Sequence, residues 1–126
     1  MPKKHVATDE APQPIGPYSQ AVVAGGFLFV SGQTPIDPAT GKLVEGDITV
    51  QAEQVLKNIL AILRQAKMGT EQVVKTTIFL ADMADFARVN EAYARYFGKE
   101  PPARSTVQVG ALPMNARVEI EVIATF

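Results

Sequence analysis

The sequence predicts an α+β fold in which a single β-sheet has two helices on one face. Apolar residues recur with helical spacing over residues 48–66 and again over residues 86–97. Short stretches rich in β-branched and aromatic residues flank both segments, which is typical of strands. The predicted order of elements is therefore β-β-α-β-α-β-β. With 126 residues, of which 47% are hydrophobic, the chain is long enough to bury the core of one domain.

An irregular loop and a β-hairpin are predicted near the start of the chain. Residues 12–17 contain several prolines and a glycine, which exclude a helix there. Two short apolar strands, at 21–24 and 27–31, flank the pair Gly25–Gly26, which is typical of a tight hairpin turn. Residues 35–41 are predicted to form a long turn, because prolines and a glycine recur in them.

The first helix is predicted to begin after Asp47, whose short carboxylate side chain suits an N-cap. Its apolar residues share one face: Ile48, Ala52, Val55, Leu56, Ile59, Leu63 and Ala66. Gly69 is predicted to end this helix, since glycine readily adopts the left-handed conformation that closes many helices.

A third strand and the second helix are predicted to follow. Residues 73–80 are rich in β-branched side chains and favour a strand. Either Asp82 or Asp85 can cap the second helix, which covers residues 86–97 and ends at Gly98.

Two closing strands are predicted at 104–109 and 118–126. The last strand alternates between apolar and charged residues, which indicates one buried face. The strand Phe27–Val30, in contrast, is apolar on both faces. Two helices cover only one face of a sheet, so the two-sided strand favours a second copy of the chain against the other face. We therefore expect a homo-oligomer.

Composition excludes several classes of function. The net charge of -1 provides no positive field for nucleic acid, and the absence of cysteine removes disulfides, thiolate catalysis and zinc–sulfur sites. The single histidine, His5, provides no histidine cluster for a metal. No apolar run approaches the roughly 20 residues of a membrane span, and the start of the chain lacks the apolar stretch of a signal peptide. We expect a cytoplasmic protein without a membrane partner.

Asn90 and Arg104 are polar residues that interrupt their local pattern. Asn90 lies on the apolar face of the second helix, where it either tethers a neighbouring loop or contacts a ligand. Arg104 opens a strand directly after two prolines and an alanine, so its backbone is stiff. Its guanidinium either grips a carboxylate through two parallel hydrogen bonds or pairs at the surface with Glu119 or Glu121.

Glu119 is a candidate acid or base, because a carboxylate beside a core can have a raised pKa. The alternation alone does not separate it from Glu121, which lies on the same face of the strand.

The segment Ser31–Gly32 directly follows an apolar strand, and its glycine allows a ligand to approach the backbone closely. A plain transition from strand to turn is the commoner reason for such a segment. Ser31 is not expected to be a nucleophile, because its only possible base, His5, lies in an N-terminal segment predicted to be mobile. Tyr18 follows a rigid Gly-Pro pair and either faces a site or packs its ring with a solvated hydroxyl.

Taken together, these segments resemble the RidA (YjgF) family of reactive intermediate deaminases. The strongest match is the block Pro102–Val107, followed by Val118-Glu119-Ile120. Further blocks match in order along nearly the whole chain: Ile15-Gly16-Pro17-Tyr18, Ser31-Gly32-Gln33, Val74-Lys75-Thr76-Thr77 and Val89-Asn90-Glu91-Ala92-Tyr93. The resemblance implies a single RidA-like domain over residues 1–126, with a chorismate mutase-like fold and a homotrimer whose clefts lie between subunits.

The resemblance also implies a function. Family members hydrolyse enamines and imines such as 2-aminoacrylate and 2-iminopropionate to 2-keto acids and ammonia, without a metal or cofactor. By this resemblance, Arg104 binds the substrate carboxylate, the backbone at Ser31 and Gly32 helps to seat it, and Glu119 positions water or relays a proton. The other residues implied to line the substrate cleft are Tyr18, Asn90 and Thr106.

Thr106 departs from the family pattern, since many members have cysteine there.

Three other functions remain as alternatives. The pocket can bind a keto acid or amino acid without chemistry, as a sensor does. Endoribonuclease or translation-inhibitor activity is attributed to some relatives, although the charge of this chain argues against it. Chorismate mutase activity is a weaker alternative, because the fold is shared but the motifs match the deaminases.

Overall fold

A computed structural model of the chain describes residues 2–126 and has the predicted α+β architecture. Two helices pack on one face of a mixed six-stranded sheet. The elements are β1 (Lys4–Val6), β2 (Ala21–Ala24), β3 (Phe27–Gln33), β4 (Ile36–Asp37), β5 (Lys42–Leu43), α1 (Ile48–Gln65), β6 (Val73–Leu80), α2 (Phe86–Phe97), β7 (Ala103–Gln108) and β8 (Val118–Thr125). Short 3-10 turns lie at Thr70–Gln72, Met83–Asp85 and Pro113–Asn115.

The strand order of the sheet is β1-β2-β3-β8-β6-β7, and a separate ribbon joins β4 to β5. All neighbours in the large sheet are antiparallel except β6 and β7, which are parallel. A parallel pair needs a crossover, and α2 provides it. This crossover leaves β7 at one edge of the sheet.

The core lies between the sheet and the helices. On β8 the side chains that face the helices are at most 2% exposed: Val118, Ile120, Val122 and Ala124. The apolar face of α1 packs against them, and its fully buried residues include Val55, Leu56, Ile59, Ile62 and Leu63. Each such large side chain contributes about 1.5–3 kcal/mol of transfer free energy, so the predicted alternation and helical spacing determine the face that each element buries.

The opposite face of the sheet, which we call the outer face, exposes large apolar side chains. On β3 the side chains of Leu28 and Val30 are buried beneath the helices. Phe27 and Phe29 point the other way and are 42% and 44% exposed, and Val107 on β7 is 43% exposed. The strand is therefore apolar on both faces, as the sequence indicates.

The end of α1 differs from the prediction. Gly69 does not close the helix, because the left-handed residue is Lys67, with φ of 61°. The backbone N–H groups of Lys67 and Met68 donate to the carbonyls of Arg64 and Leu63, each at 2.9 Å, which is the Schellman pattern. The buried Met68 side chain joins the core and compensates for the strained conformation before it.

The two aspartates proposed as caps of α2 divide their roles. Asp82 accepts a hydrogen bond from the Ala84 backbone N–H at 2.9 Å and caps the short turn before the helix. Asp85 occupies the N-cap position of α2, but its carboxylate accepts two hydrogen bonds from Arg117 at 2.9 and 3.0 Å. Asp85 therefore ties the start of α2 to the start of β8.

The N-terminal segment, which the sequence predicts to be mobile, contains a short strand. Strand β1 pairs with β2, with His5 opposite Val22. The His5 ring atom Nδ1 lies 2.5 Å from Ser19 Oγ, whereas the Ser31 hydroxyl donates to the Ser19 carbonyl. His5 and Ser31 therefore do not form a nucleophile–base pair. In residues 2–126 no helix is both long and apolar enough to cross a membrane.

Candidate functional site

Arg104 lies on the helix-facing side of the edge strand β7, above two aromatic rings of α2. Its Cζ atom is 4.9 Å from the ring centroid of Tyr93 and 5.6 Å from that of Phe86. Within the described residues, the ion pairs of arginine involve Arg88, Arg95 and Arg117, and none involves Arg104. The guanidinium is thus oriented by cation–π contacts while its charge remains free for a carboxylate.

Asn90 and Thr106 lie close to Arg104 in the fold. Asn90 is half-buried and follows Phe86 by four residues and precedes Tyr93 by three, so it shares their helix face. Thr106 follows Arg104 by two residues, on the same side of β7, and its buried hydroxyl has no hydrogen-bond partner in residues 2–126. We call Arg104, Asn90 and Thr106, with the rings of Phe86 and Tyr93, the arginine half-site.

Glu119 lies on the outer face, next to an irregularity in β3. The pairing of β3 with β8 shifts between Val30 and Gln33, and this bulge presents Gly32 to the Glu119 carboxyl group. Partial burial raises the pKa of Glu119, and the negative charge of Glu121 raises that pKa further. Glu121 itself is exposed, so the structure distinguishes two carboxylates that the sequence pattern does not.

Tyr18 and Ser31 lie beside Gly32. Tyr18 is 54% exposed, its hydroxyl accepts a hydrogen bond from the Ile15 N–H at 3.3 Å, and it lines a small cavity together with Gly32. The Ser31 hydroxyl donates to the Ser19 carbonyl at 2.6 Å, so it fixes the bulge rather than serving as a nucleophile. We call Tyr18, Ser31, Gly32 and Glu119 the glutamate half-site.

The two half-sites lie on opposite faces of the sheet. In the β6–β7 pairing Arg104 is opposite Thr76, which is fully buried beneath the helices. In the β6–β8 pairing Glu119 is opposite Phe79, which belongs to the outer face. Side chains on opposite faces point apart, so the two half-sites of one chain cannot both contact one small molecule. The surface ion pair considered for Arg104 with Glu119 or Glu121 is excluded for the same reason.

The sequence analysis missed the aromatic support of the arginine. Phe86 and Tyr93 belong to the apolar stripe of α2, and the pattern assigns both to the core. The sequence indicates this part of the site only through Asn90, which lies between the two aromatic residues on one helix face. A polar residue in that position indicates that the apolar face borders a polar region there as well as the core. In residues 2–126 no cluster of three or more His, Cys, Asp or Glu side chains can hold a metal.

Gly32→Ala is expected to displace the Glu119 carboxylate with little loss of stability. A Cβ atom at residue 32 would lie 2.8 Å from the carboxyl carbon of Glu119, so the carboxylate must move. The backbone of Gly32 is not left-handed, and the end of a glutamate side chain rotates easily. Any reaction or binding event that uses Glu119 should weaken at least about tenfold, since a displacement of about 1 Å can cost 10²-fold. Thermal unfolding should change by no more than a few degrees, and an unchanged rate or affinity would contradict a functional role for Glu119.

A mixed sheet with two helices on one face matches the architecture of solved RidA (YjgF) structures. The chain belongs to this family: the family model described as Endoribonuclease L-PSP matches residues 8–126. "Reactive Intermediate Deaminase A, chloroplastic" of Arabidopsis thaliana is 54% identical over 123 residues, which cover 98% of this chain and 66% of that protein. The resemblance seen in the sequence is confirmed.

Solved structures agree with this assignment. RidA from an Antarctic Psychrobacter species has a TM-score of 0.93 and 44% identity, covering 98% of this chain and 99% of that one. TdcF of E. coli with bound serine has a TM-score of 0.92 and 40% identity, covering 98% of each chain. The predicted fold class is confirmed, and the bound serine shows that a member of the family holds a small amino acid.

Proposed function

We propose that the chain is a cytoplasmic deaminase that hydrolyses small imines and enamines bearing a carboxylate to 2-keto acids and ammonia. Its substrates are of the 2-iminopropanoate and 2-iminobutanoate type. The observation that carries the proposal is the Arg104 guanidinium, which is stacked on Phe86 and Tyr93 and has no ion-pair partner in residues 2–126. Such a group is prepared to bind a carboxylate through two parallel hydrogen bonds. The relative named Reactive Intermediate Deaminase A supports this reaction class.

The residues suit the chemistry of C=N hydrolysis. Arg104 binds the substrate carboxylate, and the free hydroxyl of Thr106 can donate a further hydrogen bond. Ionised Glu119 accepts a proton from water as the water oxygen bonds to the imine carbon, and the imine nitrogen takes a proton from solvent. The resulting carbinolamine breaks its C–N bond as the proton on Glu119 moves to the leaving nitrogen. The hydroxyl group releases its proton to solvent, which gives the keto acid and ammonia. An enamine first gains a proton on carbon and loses one from nitrogen, which converts it to the imine.

The opposite placement of the half-sites favours a site shared by two subunits. We propose a closed homotrimer in which the arginine half-site of one chain faces the glutamate half-site of the next. The exposed Phe27, Phe29 and Val107 support burial of the outer face between copies. Cyclic symmetry repeats a heterologous contact of this kind and closes the ring.

Subunit mixing tests the shared site. Tyr18→Ala and Arg104→Ala homotrimers should each be nearly inactive. If equal amounts are unfolded and refolded together, about a quarter of the interfaces combine two intact half-sites, so activity should return to about a quarter of the wild-type value. Light scattering should give the mass of three chains. A stable monomer at micromolar concentration, or mixing without recovery, would contradict the proposal.

The reaction itself is tested by keto-acid release from imines generated by a dehydratase or an amino acid oxidase. The chain should accelerate release well beyond the rate in buffer. The second candidate function is a non-catalytic sensor of amino or keto acids, which TdcF with its bound serine favours. A sensor would bind a keto acid in calorimetry but leave the rate of release unchanged.

The description of the family model names an endoribonuclease, and we do not propose that activity for this chain. A net charge of -1 gives no general attraction for a phosphate backbone. The single histidine lies on β1 and contacts Ser19, outside both half-sites.

A further inference from the structure

A buried hydrogen-bonded pair lies directly beneath Arg104. The hydroxyl of Thr76 on β6 and the phenol of Tyr93 on α2 are 2.7 Å apart. Thr76 is fully buried and Tyr93 is 5% exposed. Because the two oxygens satisfy each other inside the core, the bond fixes the Tyr93 ring relative to the sheet.

Each member of the pair is also a neighbour of Arg104. Thr76 is the residue opposite Arg104 in the parallel pairing of β6 with β7. The Tyr93 ring lies 4.9 Å below the guanidinium carbon. Pairing with β6 therefore positions the backbone of Arg104. The hydrogen bond from Thr76, on the same strand, fixes the Tyr93 ring that the Arg104 side chain contacts.

We propose that Thr76 and Tyr93 are positioning residues that hold the guanidinium of Arg104 in one orientation toward a carboxylate. The role in substrate binding rests on the proposed function, whereas the effect on the orientation of Arg104 does not. A long arginine side chain on an edge strand otherwise samples many rotamers, and ordering it beforehand removes that cost from binding.

The chemistry of Tyr93 supports this role. Burial raises the pKa of the Tyr93 phenol despite the opposing effects of Thr76 and Arg104, so the phenol keeps its proton at neutral pH. A protonated phenol can take part in the bond with Thr76. It also leaves no phenolate charge that would pair with Arg104 and compete with the substrate.

The variants separate the ring from the hydroxyl. Tyr93→Phe and Thr76→Val each remove one hydroxyl and keep the shape, whereas Tyr93→Leu removes the aromatic face. The matched control is Tyr96→Phe, on the same helix. The Tyr96 hydroxyl donates a hydrogen bond to Glu53 at 3.1 Å, so this variant also loses a tyrosine hydroxyl bond, but away from Arg104. All four lose a tyrosine or threonine contact, but only the first three touch the support of Arg104.

The first readout is independent of any reaction. The side-chain Nε–H resonance of Arg104 is assigned in ¹⁵N-labelled full-length protein by its loss in Arg104→Lys. Tyr93→Leu should shift this resonance through loss of the ring current, and Thr76→Val and Tyr93→Phe should shift or broaden it. Tyr96→Phe should not. An unchanged resonance in Tyr93→Leu, Tyr93→Phe and Thr76→Val overturns the proposal, whatever the enzyme does.

The second readout is the affinity for 2-oxobutanoate in calorimetry and the split between KM and kcat. Tyr93→Leu should weaken binding roughly 3- to 30-fold, the range expected for a lost cation–π contact. KM should rise in all three variants while kcat changes less than about twofold, because Arg104 binds ground and transition states alike. A fall in kcat alone indicates loss of folded enzyme and overturns the positioning role. Failure of the wild type to bind or turn over substrate counts against the proposed function, while the resonance experiment still decides the inference.

Discussion

Arg104→Lys is expected to be nearly as damaging as Arg104→Ala, with kcat/KM reduced at least about tenfold in both. Lysine keeps the positive charge but loses the planar fork that makes two parallel hydrogen bonds to a carboxylate, and it stacks less well on Tyr93 and Phe86. Charge-assisted hydrogen bonds contribute about 1.5–3 kcal/mol each, so one lost bond accounts for roughly a tenfold to hundredfold effect. Initial rates of 2-iminopropanoate hydrolysis over a range of concentrations measure it.

Arg88→Lys is the matched control for this substitution. Arg88 also lies on the helix side of the molecule, but its side chain is 63% exposed and 3.7 Å from Asp47. An exposed pair of this kind is worth at most about 1 kcal/mol, and no change in rate is expected. Turnover of Arg104→Lys close to that of Arg88→Lys would show that Arg104 acts only as a diffuse positive charge.

The elements that the sequence predicts well are those that local patterns specify. The alternation in β8 and the helical spacing in α1 each reflect one buried face, and the structure buries those faces. Strand β1 was missed because Lys4-His5-Val6 is short and polar, and only its pairing with β2 orders it. The end of α1 was misplaced because a lysine takes the left-handed position, for which the sequence favours glycine.

The candidate site is less accessible to sequence reasoning, because its parts come together through the strand order. Alternation assigns Glu119 to the outer face. The placement of Arg104 on the helix-facing side of the sheet follows only from the α2 crossover, which puts β7 parallel to β6 at the sheet edge. The bond between Thr76 and Tyr93 likewise depends on how α2 packs on β6. Single residues of the site are thus visible in the sequence, but their separation into two half-sites is not.

The pH dependence of the rate should reveal the raised pKa of Glu119. The carboxylate must be ionised to accept a proton from water, and burial together with Glu121 raises its pKa above the ordinary value of 4.5. The rate should therefore fall as the pH drops through this raised pKa, at a higher pH than for an ordinary glutamate. The effect on stability has the opposite sense: the folded state favours the protonated form, and this stabilisation is lost as the pH rises through the raised pKa. A neutral glutamine should then leave the fold at least as stable at neutral pH.

Glu119→Gln is expected to reduce kcat by about 10²–10⁴, the usual range for removal of a general base, and to abolish the acidic limb of the rate profile. Glu121→Gln is the matched control on the same face. Because Glu121 is exposed, the kcat of this variant should stay within about threefold of the wild-type value. Affinity for a keto acid should persist in both variants, because Arg104 is unchanged.

Calorimetry and initial rates on both proteins test the role of Glu119. Equal rates would remove Glu119 from the mechanism. Joint loss of binding and rate in Glu119→Gln would instead make it a structural partner of the site, because a pure base contributes to the chemical step and leaves the grip of Arg104 on the carboxylate intact.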